Sequence, residues 1–179
     1  MSLSRLQPSK SPSAWRAPLG LLLGALALGA PRALAEAGPP QVLPLEAEWC
    51  LEGTGGCIQL EVPRSQRQYS LGLMQRPPLG PLRGMWFRFD PPEPARFWMH
   101  QTISPLDMIF VREGRVIAIE AAAQPCPRLP CRSYGPQQPA DGVVELDAGE
   151  AARLGVVVGS PAPIRWLRRG SAPSAPAPD

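Results

Sequence analysis

One run of sixteen residues, Arg96 to Val111, gathers the side chains best able to do chemistry: Trp98, Met99, His100, Thr102 and Asp107. His100 is the only histidine of the chain, so zinc or iron centres built from several imidazoles are excluded. Ser104 precedes Pro105 and lacks the flanking glycines of a nucleophile elbow, which argues against a Ser-His-acid hydrolase. Oxidised cysteines would remove a Cys–His pair, and no glycine-rich phosphate loop is present. Two carboxylates remain, Asp107 and Glu145, which could share a site as acid and base in a carboxylate-dependent hydrolase. Each also has a structural alternative, pairing with an arginine or capping a turn. Asp107 lies among Leu106, Met108, Ile109 and Phe110, where a carboxylate must be paired, protonated or open to a cleft. Arg76 is the expected partner, locking a helix exit onto the central strands.

No catalytic residue is expected from this set; a binding surface fits it better. On a strand Trp98 and His100 share one face, Met99 and Gln101 the other. The candidate cleft comprises Arg76, Trp98, Met99, His100, Thr102, Asp107, Tyr134 and Glu145. Thioethers are soft ligands, so Met74, Met85 and Met99 with His100 form an alternative copper(I) set outside the cytoplasm. Against that stands the common use of methionine, Met108 included, to fill gaps around aromatic rings. No other cofactor is expected.

These residues need strands to position them. Ile58, Leu60 and Val62 alternate with Gln59 and Glu61, the period of a half-buried strand, and Met85, Phe87 and Phe89 alternate with Trp86 and Arg88, giving a second strand. Pro63 suits the first turn of a helix through Arg64–Leu71 that stops near Gly72. Asp90 to Pro94 reads as a rigid connector outside any central strand. Strands follow at about 96–102 and 106–111, then a tight turn at Arg112-Glu113-Gly114 and a return strand through Ile119. Residues 124–139 read as a long loop, the kind that is functional or pinned by crosslinks. Val143 to Leu146 forms another strand, and Asp147 is placed to cap a helix over 148–154 closed by Gly155. Seven or eight short strands with two short helices indicate a mainly-β fold, a compact sandwich or distorted barrel.

The 179 residues suit one domain. Residues 1–35 carry four bases and no acid, an apolar stretch from Ala17 to Ala30, and Ala33-Leu34-Ala35, the pattern of a signal peptide cleaved before Glu36. That stretch is short of the roughly 20 apolar residues that span a bilayer, so no stable span is expected after cleavage. A flexible leader over 36–47, the domain over 48–169 and a disordered Pro/Ala tail over 170–179 complete the expected organisation, in a monomer exported to the periplasm or beyond. Past residue 35 there are 14 arginines against 15 acids, a net of −1, which provides no electrostatic footprint for nucleic acid. The expected partner is a small ligand or a protein. Cys50, Cys57, Cys126 and Cys131 allow three pairings. The Gly-rich loop between the first two and the Pro-rich loop between the last two favour the local pairs.

Five segments in order, Gly72 to Arg76, Gly84 to Phe87, Phe97 to Thr102, Pro105 to Asp107 and Val144 to Gly149, resemble the domain of unknown function 192 family over about residues 57–166. The Cys126–Cys131 loop followed by Tyr134-Gly135-Pro136 resembles exported cyanobacterial members. The resemblance implies a small mainly-β fold and no established activity. Gln101 stands where the family usually has asparagine, and Ser160 where it usually has aspartate after the glycine.

Overall fold

The computed structural model describes residues 39–51 and 56–168. The expected signal peptide and Pro/Ala tail lie outside the described residues, as do positions 36–38 of the expected leader. The described residues form nine strands: β1 (Leu45–Cys50), β2 (Cys57–Glu61), β3 (Arg83–Glu93), β4 (Phe97–Trp98), β5 (Leu106–Arg112), β6 (Arg115–Ala123), β7 (Ser133–Tyr134), β8 (Ala140–Asp147) and β9 (Arg165–Trp166). Helices α1 (Gln66–Leu71) and α2 (Glu150–Arg153) complete the set. The fold is mainly β, with no closed barrel. Seven strands form one sheet in the order β6-β5-β8-β3-β2-β1-β9, and β4 pairs with β7 separately. All neighbours run antiparallel except β2 and β3, which are parallel.

The sheet carries a core on each face. Along β5, Leu106, Met108 and Phe110 enter one core while Ile109 and Val111 enter the other, as a side-chain period of two requires. Leu106 to Val111 are all buried, so the central strands are covered on both sides. One face carries Trp49, Ile58, Leu60, Val144 and Leu146 under Ala151 of α2 and Leu154 just after it. The other carries Met85, Phe87, Met99 and Val143 under Tyr69 of α1, Phe97 of β4 and Tyr134 of β7. Gly84 lies opposite Leu146, and an added Cβ would sit 2.6 Å from Leu146 Cδ2 and 2.8 Å from the Glu145 carbonyl oxygen. The β3–β8 contact therefore requires glycine at that position.

Several expected elements change at their ends. The leader becomes strand from Leu45, with Ala47 fully buried, because β1 fills a place between β2 and β9. Helix α1 starts two residues after Arg64 because Ser65 caps it; its hydroxyl accepts from Gln68 N–H while Gln68 Oε1 accepts from Ser65 N–H, a capping box. The Asp90–Pro94 connector is strand as far as Glu93, which pairs with Ala140 beyond a register shift; exposed Pro91 and Pro92 fall in that irregular stretch, where a missing ladder donor is tolerated. The strand expected over 96–102 pairs at Phe97–Trp98 and by a single bridge from His100 to Cys126. Gln101, at φ 56°, then bends the chain and Thr102 N–H donates to the Met99 carbonyl. Residues 124–139 include the short strand β7.

Asp147 does not cap α2. Its carboxylate oxygens accept from the N–H groups of Leu79 and Gly80 at 2.9 and 2.8 Å, and Gly149 occupies the N-cap without a side-chain bond. The cap comes from the neighbouring strand: Asp107 Oδ2 accepts from Ala151 N–H at 3.0 Å.

Candidate functional site

Asp107 and Glu145 sit on adjacent strands but on opposite faces. In the β5–β8 register Asp107 lies opposite Leu146 and Met108 opposite Glu145, so the two carboxylates point to different cores. The acid–base pairing expected for a hydrolase is therefore not assembled. Asp107 does not meet Arg76 either. Its second oxygen accepts from Ala122 N–H at 2.8 Å, while one guanidinium nitrogen of Arg76 donates to both oxygens of Glu61 at 2.8 Å. Both carboxylates thus find donors, but backbone geometry chooses those of Asp107.

Glu145 has no such settlement. It lies between Met85 on β3 and Met108 on β5, both fully buried, and is itself 4% exposed. Its carboxyl makes no hydrogen bond or ion pair among the described residues. Burial between apolar neighbours disfavours the charged form and pushes its pKa up from 4.5 to about 8. The carboxyl lines a cleft of about 280 Å³ bounded by α1, the segment after it, β3 and β4. Thr102 also lines this cleft, is 8% exposed, and makes no side-chain hydrogen bond among the described residues. No buried side-chain nitrogen or oxygen among the described residues lacks a partner, so these two groups reach the open space of the cleft, where water or a ligand can complete them.

The walls are aromatic. Tyr69, Phe87, Phe97 and Phe89 form a closed circuit of neighbouring rings, with centroids 5.9, 5.0, 6.3 and 6.4 Å apart in turn. Trp98 adds a half-exposed ring at the cleft and packs on His100 at 5.3 Å. Of the expected cleft residues, Trp98, Thr102 and Glu145 line it. Met99 and Tyr134 are buried in the core on that face, and Arg132 sits 4.7 Å over the Tyr134 ring. Of the expected copper(I) set only Met74 lines the cleft; Met85 and Met99 are core residues and His100 lies against Trp98. Tyr69, Phe87, Phe89, Phe97 and Glu93 were not expected there. The alternation Met85, Phe87, Phe89 signalled a shared face, but not that α1 and β4 would bring further rings to it.

Two disulfides crosslink the chain, one of them beside this site. Cys126 and Cys131 are joined at 2.08 Å and Cys50 and Cys57 at 1.97 Å. Cys126 exchanges backbone hydrogen bonds with Met99 and Gln101, so the first of these crosslinks braces the segment that carries Trp98 and Thr102.

The profile of DUF192, described as an uncharacterized ACR, matches residues 49–164. The chain belongs to the DUF192 family. No curated protein matches it. A solved structure from Sinorhizobium meliloti 1021, of a protein provisionally named a transcription regulator, is similar at 30% identity and a TM-score of 0.59, covering 68% of this chain and 92% of that one. A protein of unknown function from Novosphingobium aromaticivorans DSM 12444 is similar at 35% identity and a TM-score of 0.58, covering 77% of this chain and all of that one. Two residues singled out in the sequence of this DUF192 chain, Gln101 and Ser160, have a physical reading. Gln101 adopts a left-handed φ of 56°, a conformation that asparagine tolerates better than glutamine. Ser160 supplies an acceptor to its own turn, its hydroxyl accepting from Val157 N–H at 3.0 Å.

Proposed function

We propose that this DUF192 chain is an exported module that binds a small ligand in the aromatic cleft and serves by binding rather than catalysis. The observation that carries the reading is the Glu145 carboxyl, set deep in the fold but open to that cleft and paired with no protein group, with the Thr102 hydroxyl beside the same space. A mostly apolar pocket with a few converging polar groups is the usual build of a small-molecule site, and about 280 Å³ lies at the small end of the range for such pockets. Two disulfide-bonded pairs support export into an oxidising compartment. No helix among the described residues is long and apolar enough to cross a membrane. The name of the Sinorhizobium protein is not carried over to a role in transcription, because the chain past residue 35 has no excess of basic charge.

The test is a ligand screen of the mature protein by amide NMR with a set of small polar, aromatic and charged compounds. Binders should shift the amides of Tyr69, Trp98 and Thr102, and Thr102→Val should weaken them. Shifts confined to the Asp107 face, or none from any compound, would overturn the reading.

A further inference from the structure

We propose that the cleft ligand is a small organic cation, an amine or quaternary ammonium compound, held by Glu145 and the rings of Tyr69, Phe87, Phe89 and Phe97. The inference rests on the reading of the cleft as a small-ligand site and adds the chemistry of what fills it.

Charge and ring geometry carry the argument. A cation within about 6 Å of an aromatic centroid is attracted by the ring's quadrupole, most strongly where water is excluded. Four rings in a circuit, each 5.0–6.4 Å from the next, line one small volume. The Tyr69 hydroxyl is already spent on the Arg88 carbonyl oxygen at 2.6 Å, leaving its ring as what it brings to the cleft. Three charged or chargeable groups besides Tyr69 line the cleft. Glu93 and Glu145 make no ion pair, whereas Arg96 donates to the Gly135 carbonyl oxygen at 2.7 Å. The residues flanking Glu145 across the ladder, Met85 and Met108, are uncharged. With Glu145 ionised the lining holds two carboxylates against one guanidinium, and neither carboxylate is paired.

Proton balance follows from the burial of Glu145. In the free protein near pH 7 the carboxyl is mostly protonated. A cation stabilises the carboxylate, so binding converts the acid to its anion beside the ligand and releases one proton to solvent. Affinity should therefore rise with pH, by about 50-fold between pH 6 and pH 8 for a group titrating near 8.

The experiment titrates the mature protein with choline, tetramethylammonium and propylamine, and with uncharged 3,3-dimethyl-1-butanol, by calorimetry at pH 6, 7 and 8 in phosphate and in Tris. At least one cation should bind more tightly than the alcohol at pH 8, with the expected pH dependence and a heat that differs between buffers as one proton is released. Glu145→Gln, checked for folding by its melting curve, should flatten the profile and cost tenfold or more at pH 8. Phe97→Leu should weaken the cations more than the alcohol. An alcohol that binds as well as every cation, or a pH-independent affinity, would overturn the cation while leaving the cleft as a ligand site. A screen in which no compound reaches the cleft would remove both.

Discussion

One guanidinium nitrogen of Arg76 donates to both carboxylate oxygens of Glu61 at 2.8 Å, tying the chain after α1 to the end of β2. Leu43 N–H donates to the same carboxylate at 2.7 Å, so three separate segments meet there. Both side chains are nearly buried, 12% and 9% exposed, and removing either strands the other. Arg76→Met and Glu61→Gln should each lower unfolding stability by about 3 kcal/mol, as for the breaking of a buried pair. The double variant should lose less than the two single losses added, which a denaturant double-mutant cycle measures. Strict additivity would show that the contact contributes nothing.

Asp107 accepts two backbone hydrogen bonds, from Ala122 and from Ala151 at the start of α2. Asp107→Ala would leave both N–H groups unpaired, at a cost of about 3 kcal/mol for bonds to a charged acceptor. Hydrogen exchange at Ala151 and its neighbours should accelerate. Affinity in the aromatic cleft should not change, since Asp107 lies on the other face of the sheet. A variant that melts like the parent but fails to bind a cleft ligand would contradict this division.

Glu145 makes stability depend on pH in an unusual sense. Its folded pKa is raised, from 4.5 to about 8, so between these values the folded chain holds a proton that the unfolded chain has released. Stability is therefore undiminished below about pH 4.5 and falls as pH rises towards 8, by on the order of 5 kcal/mol in all. Glu145→Gln removes the titration and should stabilise the protein at pH 8 more than at pH 5. Chemical denaturation at the two values decides it; equal effects of the substitution would mean that Glu145 titrates normally.

Gln101 holds a left-handed backbone at φ 56° while its N–H donates to the Cys126 carbonyl and its own carbonyl accepts from Gln75 N–H. Its side chain is exposed. Gln101→Asn should raise stability by about 0.5 kcal/mol, since asparagine enters this conformation more readily. A measurable loss on thermal melting would show that the glutamine side chain makes a contact that matters.

The sequence by itself determined the mainly-β class, the hairpin at Glu113-Gly114 and the family, because these depend on periodicity and turn chemistry within short segments. It also named Trp98, Thr102 and Glu145 for the cleft. Which carboxylate meets which donor was decided only in three dimensions. Arg76 met Glu61 because β2 ends beside the exit of α1, and Asp107 replaced Asp147 as the cap of α2 because β5 runs next to β8. The separation of Asp107 from Glu145 is a matter of register, since a slip of one residue between β5 and β8 would turn one of them to the other face. The aromatic circuit has the same origin: its rings come from α1, β3 and β4, and no local pattern records that these three elements close over one face of the sheet.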